Sequence, residues 1–211
     1  DMKGRIRVYV RVRPFSKSEL ARDCTEAVLK DGKLSVLVKG LQGPDSKKNF
    51  DFDQVFAGAD SDGNSQKDVF KDTKHLMMSV LDGYNVCIFA YGQTGSGKTF
   101  TMIGAADIGK CLKENGDFDA LAGITPRAVS ELFRLLNERQ AQVSYEVEVQ
   151  MFQLYRDGLE DLLCKAQGKK KPGDPSKVTQ SLKITLAEHS PTGLVNVDGA
   201  TTMVATCPAD V

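Results

Sequence analysis

The chain has 211 residues, which suffices for one sizeable core and favours a single domain. Basic and acidic residues number 28 each, so the formal net charge is zero and the overall balance favours neither nucleic acid nor a membrane as a partner. The five cysteines form no CxxC pair, and His75 and His189 lie far apart in the sequence. This pattern is typical of a cytoplasmic protein with reduced thiols and without a zinc site.

The first third of the chain contains three strand signals. Residues 5–13 alternate apolar and polar side chains up to Pro14, which cannot donate a backbone hydrogen bond to a ladder. Residues 34–38 and 49–56 have similar patterns. The first of these strands is predicted to place its four aliphatic side chains on one inner face, namely Ile6, Val8, Val10 and Val12.

A helix followed by a buried strand is predicted next. Ser65 resembles an N-cap and Asp68 follows it at the third position, where an acidic side chain meets free N–H groups. Apolar residues then recur at helical spacing until Gly83. Residues 85–91 are nearly all apolar, which predicts a central strand buried on both faces.

The rest of the chain alternates helices and strands. A helix is predicted after residue 97, with an interruption at 104–122 and a clear amphipathic continuation at 124–138. The remaining predictions are a long strand at 143–155, a short helical turn at 158–163, and a hairpin formed by 182–186 and 194–197. This alternation indicates an α/β fold layered around a mixed sheet.

One motif carries chemistry. Residues 92–99 fit the pattern GxxxxGK[ST], whose glycines allow successive backbone N–H groups to face a phosphate chain. In this pattern the lysine supplies charge to the phosphates and the last hydroxyl is a Mg²⁺ ligand. A strand before the motif and a helix after it favour nucleotide binding over a plain turn. The eight residues are Gly92, Gln93, Thr94, Gly95, Ser96, Gly97, Lys98 and Thr99.

Residues 84–91, followed directly by this loop and by 100–102, resemble the nucleotide-binding core of the kinesins. Four other stretches agree with the family in order and spacing: 6–14, 50–56, 65–70 and 123–127. The resemblance covers essentially the whole chain. It implies an α/β P-loop NTPase fold with a central mixed sheet flanked by helices, ATP or ADP with Mg²⁺ as ligands, and microtubules as the partner in the cytoskeleton.

The resemblance also assigns the adenine end of the site. Carried over, Arg11, Arg13 and Pro14 lie against the base, and Arg11 stacks its guanidinium plane on the ring. For Arg13, a structural salt bridge is an alternative of equal weight to contact with the base. Tyr91 and Phe100 flank the phosphate loop and are expected to line the pocket, with a core position as the alternative for Phe100.

Residues 1–9 resemble kinesins whose motor lies at the C-terminus, the minus-end-directed class, and 128–134 and 149–163 resemble the plant-type calmodulin-binding members. Calmodulin, and dimerisation through a coiled coil, would then involve segments outside this chain. The chain as a whole, 1–211, is expected to be the N-terminal part of one motor domain.

The family's switch I pattern, Asn-x-x-Ser-Ser-Arg-Ser-His, its switch II pattern, Asp-Leu-Ala-Gly-Ser-Glu, and its main tubulin-binding helices do not occur up to Val211. No catalytic residue is therefore assigned within the chain, which is expected to be nearly inert and to fold poorly alone. The alternatives are a motor whose remainder lies elsewhere, an inactive fragment, and a non-catalytic nucleotide-binding or microtubule-binding module.

Three segments are candidates for functional loops. The stretch 104–122 either tunes nucleotide exchange or is a tolerated surface insertion. The lysine run 169–171 either contacts the acidic microtubule surface or is solvated loop. The hairpin tip at 188–193 corresponds to a tubulin-facing loop in the family.

Overall fold

The computed structural model describes residues 6–40, 43, 45–57, 65–104, 120–156, 158–166, 182–186 and 195–211. These residues belong to two compact units, Asp1–Glu138 and Arg139–Val211. Among the described residues there is no helix of the length and apolar character that a membrane span needs.

In its described residues, the first unit combines two small sheets with four short helices and one of 16 residues. Strands β1 and β5 pair in parallel, and β2, β3 and β4 form an antiparallel sheet in that order. The strands are β1 Tyr9–Val12, β2 Val28–Asp31, β3 Ser35–Lys39, β4 Lys47–Asp51 and β5 Gln54–Ala57. The helices are α1 Lys17–Leu20, α2 Gln66–Thr73, α3 His75–Leu81, α4 Lys98–Met102 and α5 Ile124–Arg139.

The inner face predicted for the first strand is wrong for two of its four side chains, while Val10 and Val12 are half-buried like the rest of β1. Ile6 and Val8 are exposed, and they precede β1. Tyr9, on the opposite set of alternating positions, packs against the buried cluster of Phe56, Val69 and Ile124, with its ring edge-on to Phe56 at a centroid distance of 6.3 Å. The apolar alternation does not reveal the face that contains Tyr9, because the next side chain on that face is the charged Arg11. The hydrogen bonds of Arg11 to residues distant in the sequence are described below.

The single strand predicted at 49–56 is two strands in different sheets. The N–H of Phe52 donates to the carbonyl of Leu34 at 2.7 Å, and the N–H of Asp53 donates to the carbonyl of Val8 at 3.1 Å. The chain therefore exchanges β3 for β1 as its partner at this point.

The helix predicted after Ser65 is confirmed at its start and divided at Lys74. The side chain of Ser65 accepts from the N–H of Asp68, and the Asp68 carboxylate accepts from the N–H of Ser65, which completes a capping box. Lys74 separates α2 from α3, and its ammonium pairs with Glu131 of α5 at 3.2 Å. The break between α2 and α3 thus lies at a residue that forms an ion pair with helix α5.

The strand predicted at 85–91 is not formed. The segment has no ladder partner within the described part of the chain, and Phe89 and Tyr91 are 77% and 95% exposed. Apolar composition favours a buried strand only where neighbouring strands exchange hydrogen bonds with it. The mixed α/β content is confirmed, while the described strands form several small sheets and not one central sheet.

In its described residues, the second unit contains three strand pairs, a short α-helix and a 3-10 helix at Pro208–Asp210. The strand predicted at 143–155 is divided between β6 and β7, and the helical turn predicted at 158–163 is a strand that runs into a helix. The hairpin predicted near the end is confirmed as β9 paired antiparallel with β10, with its turn outside the described residues. The elements are β6 Val147–Val149, β7 Phe152–Tyr155, β8 Gly158–Asp161, α6 Leu162–Ala166, β9 Lys183–Leu186, β10 Val195–Asp198 and β11 Met203–Ala205.

Asp161 explains why the chain changes from strand to helix at this position. Its carboxylate accepts from the N–H of Cys164 at 3.0 Å, which caps α6, and from the N–H of Thr201 at 2.7 Å. Partial burial raises the pKa of Asp161, but these hydrogen bonds together outweigh it and leave the pKa below its ordinary value.

Candidate functional site

The glycine-rich loop lies between the extended segment 84–91 and helix α4. Gly97, the residue before the helix, has a φ of +98°, a left-handed conformation that glycine adopts without strain. A Cβ on Gly92 would lie 2.4 Å from the Oγ of Ser96, so a larger residue at position 92 would require the Ser96 side chain to move. The N–H of Ser96 donates to the carbonyl of Gln93 at 3.1 Å and closes the turn.

Lys98 lies across this loop. Its ammonium donates to the carbonyls of Gly92 and Gln93 at 2.8 and 2.9 Å. An ammonium carries three N–H donors, so these two bonds fix its position and still allow a bond to an anion. The charge is thus held at the loop, where the sequence pattern requires it.

Thr99 follows in the first turn of α4 and is exposed. A hydroxyl beside the loop lysine is a suitable Mg²⁺ ligand when a nucleotide phosphate supplies further oxygens. Among the described residues no cluster of histidine, cysteine, aspartate and glutamate could hold a metal on its own. The loop therefore fits a Mg²⁺ ion whose further ligands are phosphate oxygens.

Arg11 is held beside α4 by three different groups. Its Nη1 donates to the Oε1 of Gln66 at 2.7 Å and to the Oγ1 of Thr101 at 3.0 Å. Its guanidinium lies over the ring of Phe100, 5.0 Å from the centroid. Partial burial lowers the pKa of Arg11, but a guanidinium remains charged at any physiological pH. The structure thus brings together Arg11, predicted to lie at the base end, and Phe100, predicted to line the pocket.

Gln66 is a buried polar residue that sequence reasoning missed. It is 3% exposed, and its Nε2 donates to the carbonyls of Phe100 and Leu121 at 2.6 and 3.1 Å. The sequence gives no signal for this burial, because a polar residue directly after the N-cap Ser65 is ordinarily solvent-exposed.

For Arg13, the structure shows the salt bridge. Its Nη2 contacts the Oε1 of Glu19 at 2.6 Å, and its Nη1 donates to the carbonyl of Pro14 at 3.1 Å. The hydrogen bond from Arg13, assisted by bonds from Ser16, lowers the pKa of Glu19 to about 2. Arg13 therefore bonds to Glu19 and to the carbonyl of Pro14, and these contacts lie outside the group that holds Arg11.

Tyr91 is joined to the loop through the backbone alone. Its side chain is 95% exposed just before Gly92.

A cavity of about 260 Å³ lies elsewhere in this unit, around the start of β1, and contains no residue of the loop. Its lining consists of Arg7, Tyr9, Asp53, Gln54 and Asp72.

The stretch 104–122 begins and ends at one point. Gly104 and Ala122 form an isolated β-bridge, and the N–H of Gly123 donates to the carbonyl of Ile103 at 2.8 Å. Residues 105–119 lie outside the described residues, as do the lysine run 169–171 and the hairpin tip 188–193. The two ends of the stretch are therefore adjacent in space, directly after α4.

Residues 92–102 thus form a glycine loop with a lysine held over it and a helix behind it, the arrangement of P-loop nucleotide-binding proteins. The family model described as "Kinesin motor domain" matches residues 11–211. The chain belongs to the kinesin motor domain family.

Curated plant proteins are similar over most of the chain. Kinesin-like protein KIN-14H of Arabidopsis thaliana is 40% identical over 190 residues, which are 90% of this chain and 17% of the relative. Kinesin-like protein KIN-14P of Oryza sativa subsp. japonica is 44% identical over 163 residues, 77% of this chain and 15% of the relative. The likeness to kinesins of the C-terminal-motor class is confirmed, and the chain spans less than a fifth of the length of these relatives.

Proposed function

We propose that the protein is an ATP-driven, minus-end-directed microtubule motor in which this chain supplies the adenine-binding and phosphate-binding half. The observation that carries the proposal is Lys98, held by two carbonyls over a glycine loop in a chain of the kinesin family. The chain as a whole, 1–211, is the N-terminal part of one motor domain. Microtubule binding, cytoskeletal location and direction rest on likeness to the family.

The residues divide the nucleotide between them. The backbone of 92–97 and the Lys98 ammonium bind the phosphates, and the Thr99 hydroxyl holds Mg²⁺, which neutralises phosphate charge when it is bound. Arg11 and Phe100 form the surface for the adenine ring, with Tyr91 beside the loop. Arg13 and Pro14 border this end, where the pair with Glu19 favours a structural role for Arg13.

Calmodulin regulation and dimerisation through a coiled coil are carried over from the resemblance to calmodulin-binding, C-terminal-motor kinesins. Both belong to segments outside these 211 residues.

The test is nucleotide binding by Lys98→Ala against the unchanged protein, followed by ATP hydrolysis with and without microtubules. Removal of a charge-assisted hydrogen bond to phosphate should weaken ATP binding about 10- to 100-fold. Lys67→Ala, an exposed lysine on α2, is the matched control and should bind as the unchanged protein does.

The three possible results separate the candidate functions. ATP binding that depends on Lys98, together with microtubule-stimulated hydrolysis, supports the motor. Binding without hydrolysis favours the alternative, a non-catalytic nucleotide-binding module or an inactive motor fragment. Equal ATP affinity in Lys98→Ala and the control would refute the assignment of the loop.

A further inference from the structure

We infer that Gln66 is a positioning residue of the nucleotide site, which acts on the adenine end by holding Arg11. The inference rests on the proposed function, and in particular on Arg11 and Phe100 as the surface for the base. Gln66 lies 55 residues from Arg11 in the sequence and outside the phosphate loop.

The amide of Gln66 is held in one orientation by its partners. Oε1 faces the Arg11 guanidinium, which can only donate, and Nε2 faces the carbonyls of Phe100 and Leu121, which can only accept. A flipped amide would set donor against donor and acceptor against acceptor at 2.6–3.1 Å. The side chain is 3% exposed, so water cannot replace these partners.

The consequence is a defined position for a long, flexible cationic side chain. Without Gln66, Arg11 would keep its bond to Thr101 and its contact with the Phe100 ring, but it would lose the shorter of its two hydrogen bonds. Binding a base would then have to order the guanidinium, a cost that Gln66 removes in advance. Gln66 itself is separated from the base by Arg11, which is why it positions and does not bind.

The phosphate end is held by separate contacts. Lys98 bonds to Gly92 and Gln93, and the first helical bond of α4 joins the N–H of Thr101 to the carbonyl of Gly97. None of these bonds involves Gln66. A change at Gln66 is therefore expected to affect the base end more than the phosphate end.

The experiment measures the affinity of the purified protein for ATP and for inorganic tripolyphosphate, each with Mg²⁺, by calorimetry. Gln66→Met removes all three hydrogen bonds at nearly constant side-chain length. We expect ATP affinity to fall about tenfold and tripolyphosphate affinity to change less than about twofold. Gln142→Met, the same change at an exposed position, is the control and should alter neither.

The double variant with Arg11→Met tests whether the effect passes through Arg11. Once Arg11 is absent, adding Gln66→Met should reduce ATP affinity by less than about twofold, because coupled residues are not additive. Additive losses would overturn the inference, as would an equal loss of ATP and tripolyphosphate affinity in Gln66→Met, which would indicate a general structural effect.

Gln66→Asn keeps the inference testable if Gln66→Met does not fold. It retains an amide but is one methylene too short to keep the 2.7 Å bond to Arg11, so ATP affinity should again fall about tenfold and tripolyphosphate affinity should change less than about twofold. An equal loss of both affinities in this variant would also overturn the inference. If the unchanged protein binds neither ligand, the proposed function itself fails; if it binds both and the variants do not differ from it, only the role of Gln66 is refuted.

Discussion

Replacing Gly123 by alanine should disturb the packing directly behind the phosphate-loop helix. Gly123 is buried, and its N–H donates to the carbonyl of Ile103 at 2.8 Å. A Cβ at this position would lie 2.6 Å from both the carbonyl carbon and the carbonyl oxygen of Met102, and 2.7 Å from the carbonyl carbon of Ile103. All three are backbone atoms, so no side chain can rotate away to make room.

The size of the effect follows from these distances. Non-bonded carbon atoms prefer a separation of about 3.5–4.0 Å, so the two backbone segments must move apart by about 1 Å. Overpacking of this kind costs about 1–3 kcal/mol, and loss of the bond between Gly123 and Ile103 adds about 0.5–1.5 kcal/mol. Together they lower the free energy of unfolding by about 2–4 kcal/mol, equivalent to a fall in the melting temperature of roughly 5–15 °C.

The assay is thermal unfolding followed by circular dichroism. Gly158→Ala is the matched control, because a Cβ there would meet only the carbonyl oxygen of Tyr155 at 3.5 Å, an ordinary contact. Its melting temperature should change by less than about 3 °C. If Gly123→Ala melts within about 2 °C of the unchanged protein, the close approach of Gly123 to Met102 is not maintained in solution and the reasoning fails.

Two further predictions concern local electrostatic contacts. Ser65→Ala removes one half of the capping box with Asp68 and should lower the free energy of unfolding by about 1 kcal/mol in a denaturant titration; an unchanged midpoint would show that the cap contributes nothing. The Glu19 carboxyl should titrate by NMR at about 2, and Arg13→Gln should return its pKa towards the ordinary 4.5. Because the folded pKa is lowered, the ion pair's contribution is present above pH 4.5 and is lost as the pH falls towards 2; a pKa for Glu19 that Arg13→Gln leaves unmoved would contradict the pairing.

The parts of the fold that could be predicted from the sequence are those that local signals determine. The capping box at Ser65, the glycine loop at 92–97 and the helix at Ile124–Arg139 each depend on residues within a few positions of one another. Caps and glycine conformations are properties of short segments, so the pattern and the structure agree there.

The strands show where such patterns stop being informative. Alternation predicted single strands at 49–56 and 143–155, and each is two strands with different partners. Period-two alternation records which side chains share a face, and it contains no information about where one partner strand replaces another. The apolar run at 85–91 fails for a related reason, since strand formation depends on neighbours that the run itself does not specify.

The two ends of the nucleotide site differ in the same way. The phosphate end is contiguous, and its lysine bonds to carbonyls five and six residues away. The base end joins Arg11 to Gln66 and Thr101, which are 55 and 90 residues distant. Resemblance to the family could name Arg11, but only the three-dimensional structure could show that a buried amide on helix α2 holds it. A motif search therefore identifies where phosphate is bound, while the precision of base recognition depends on contacts that no short pattern contains.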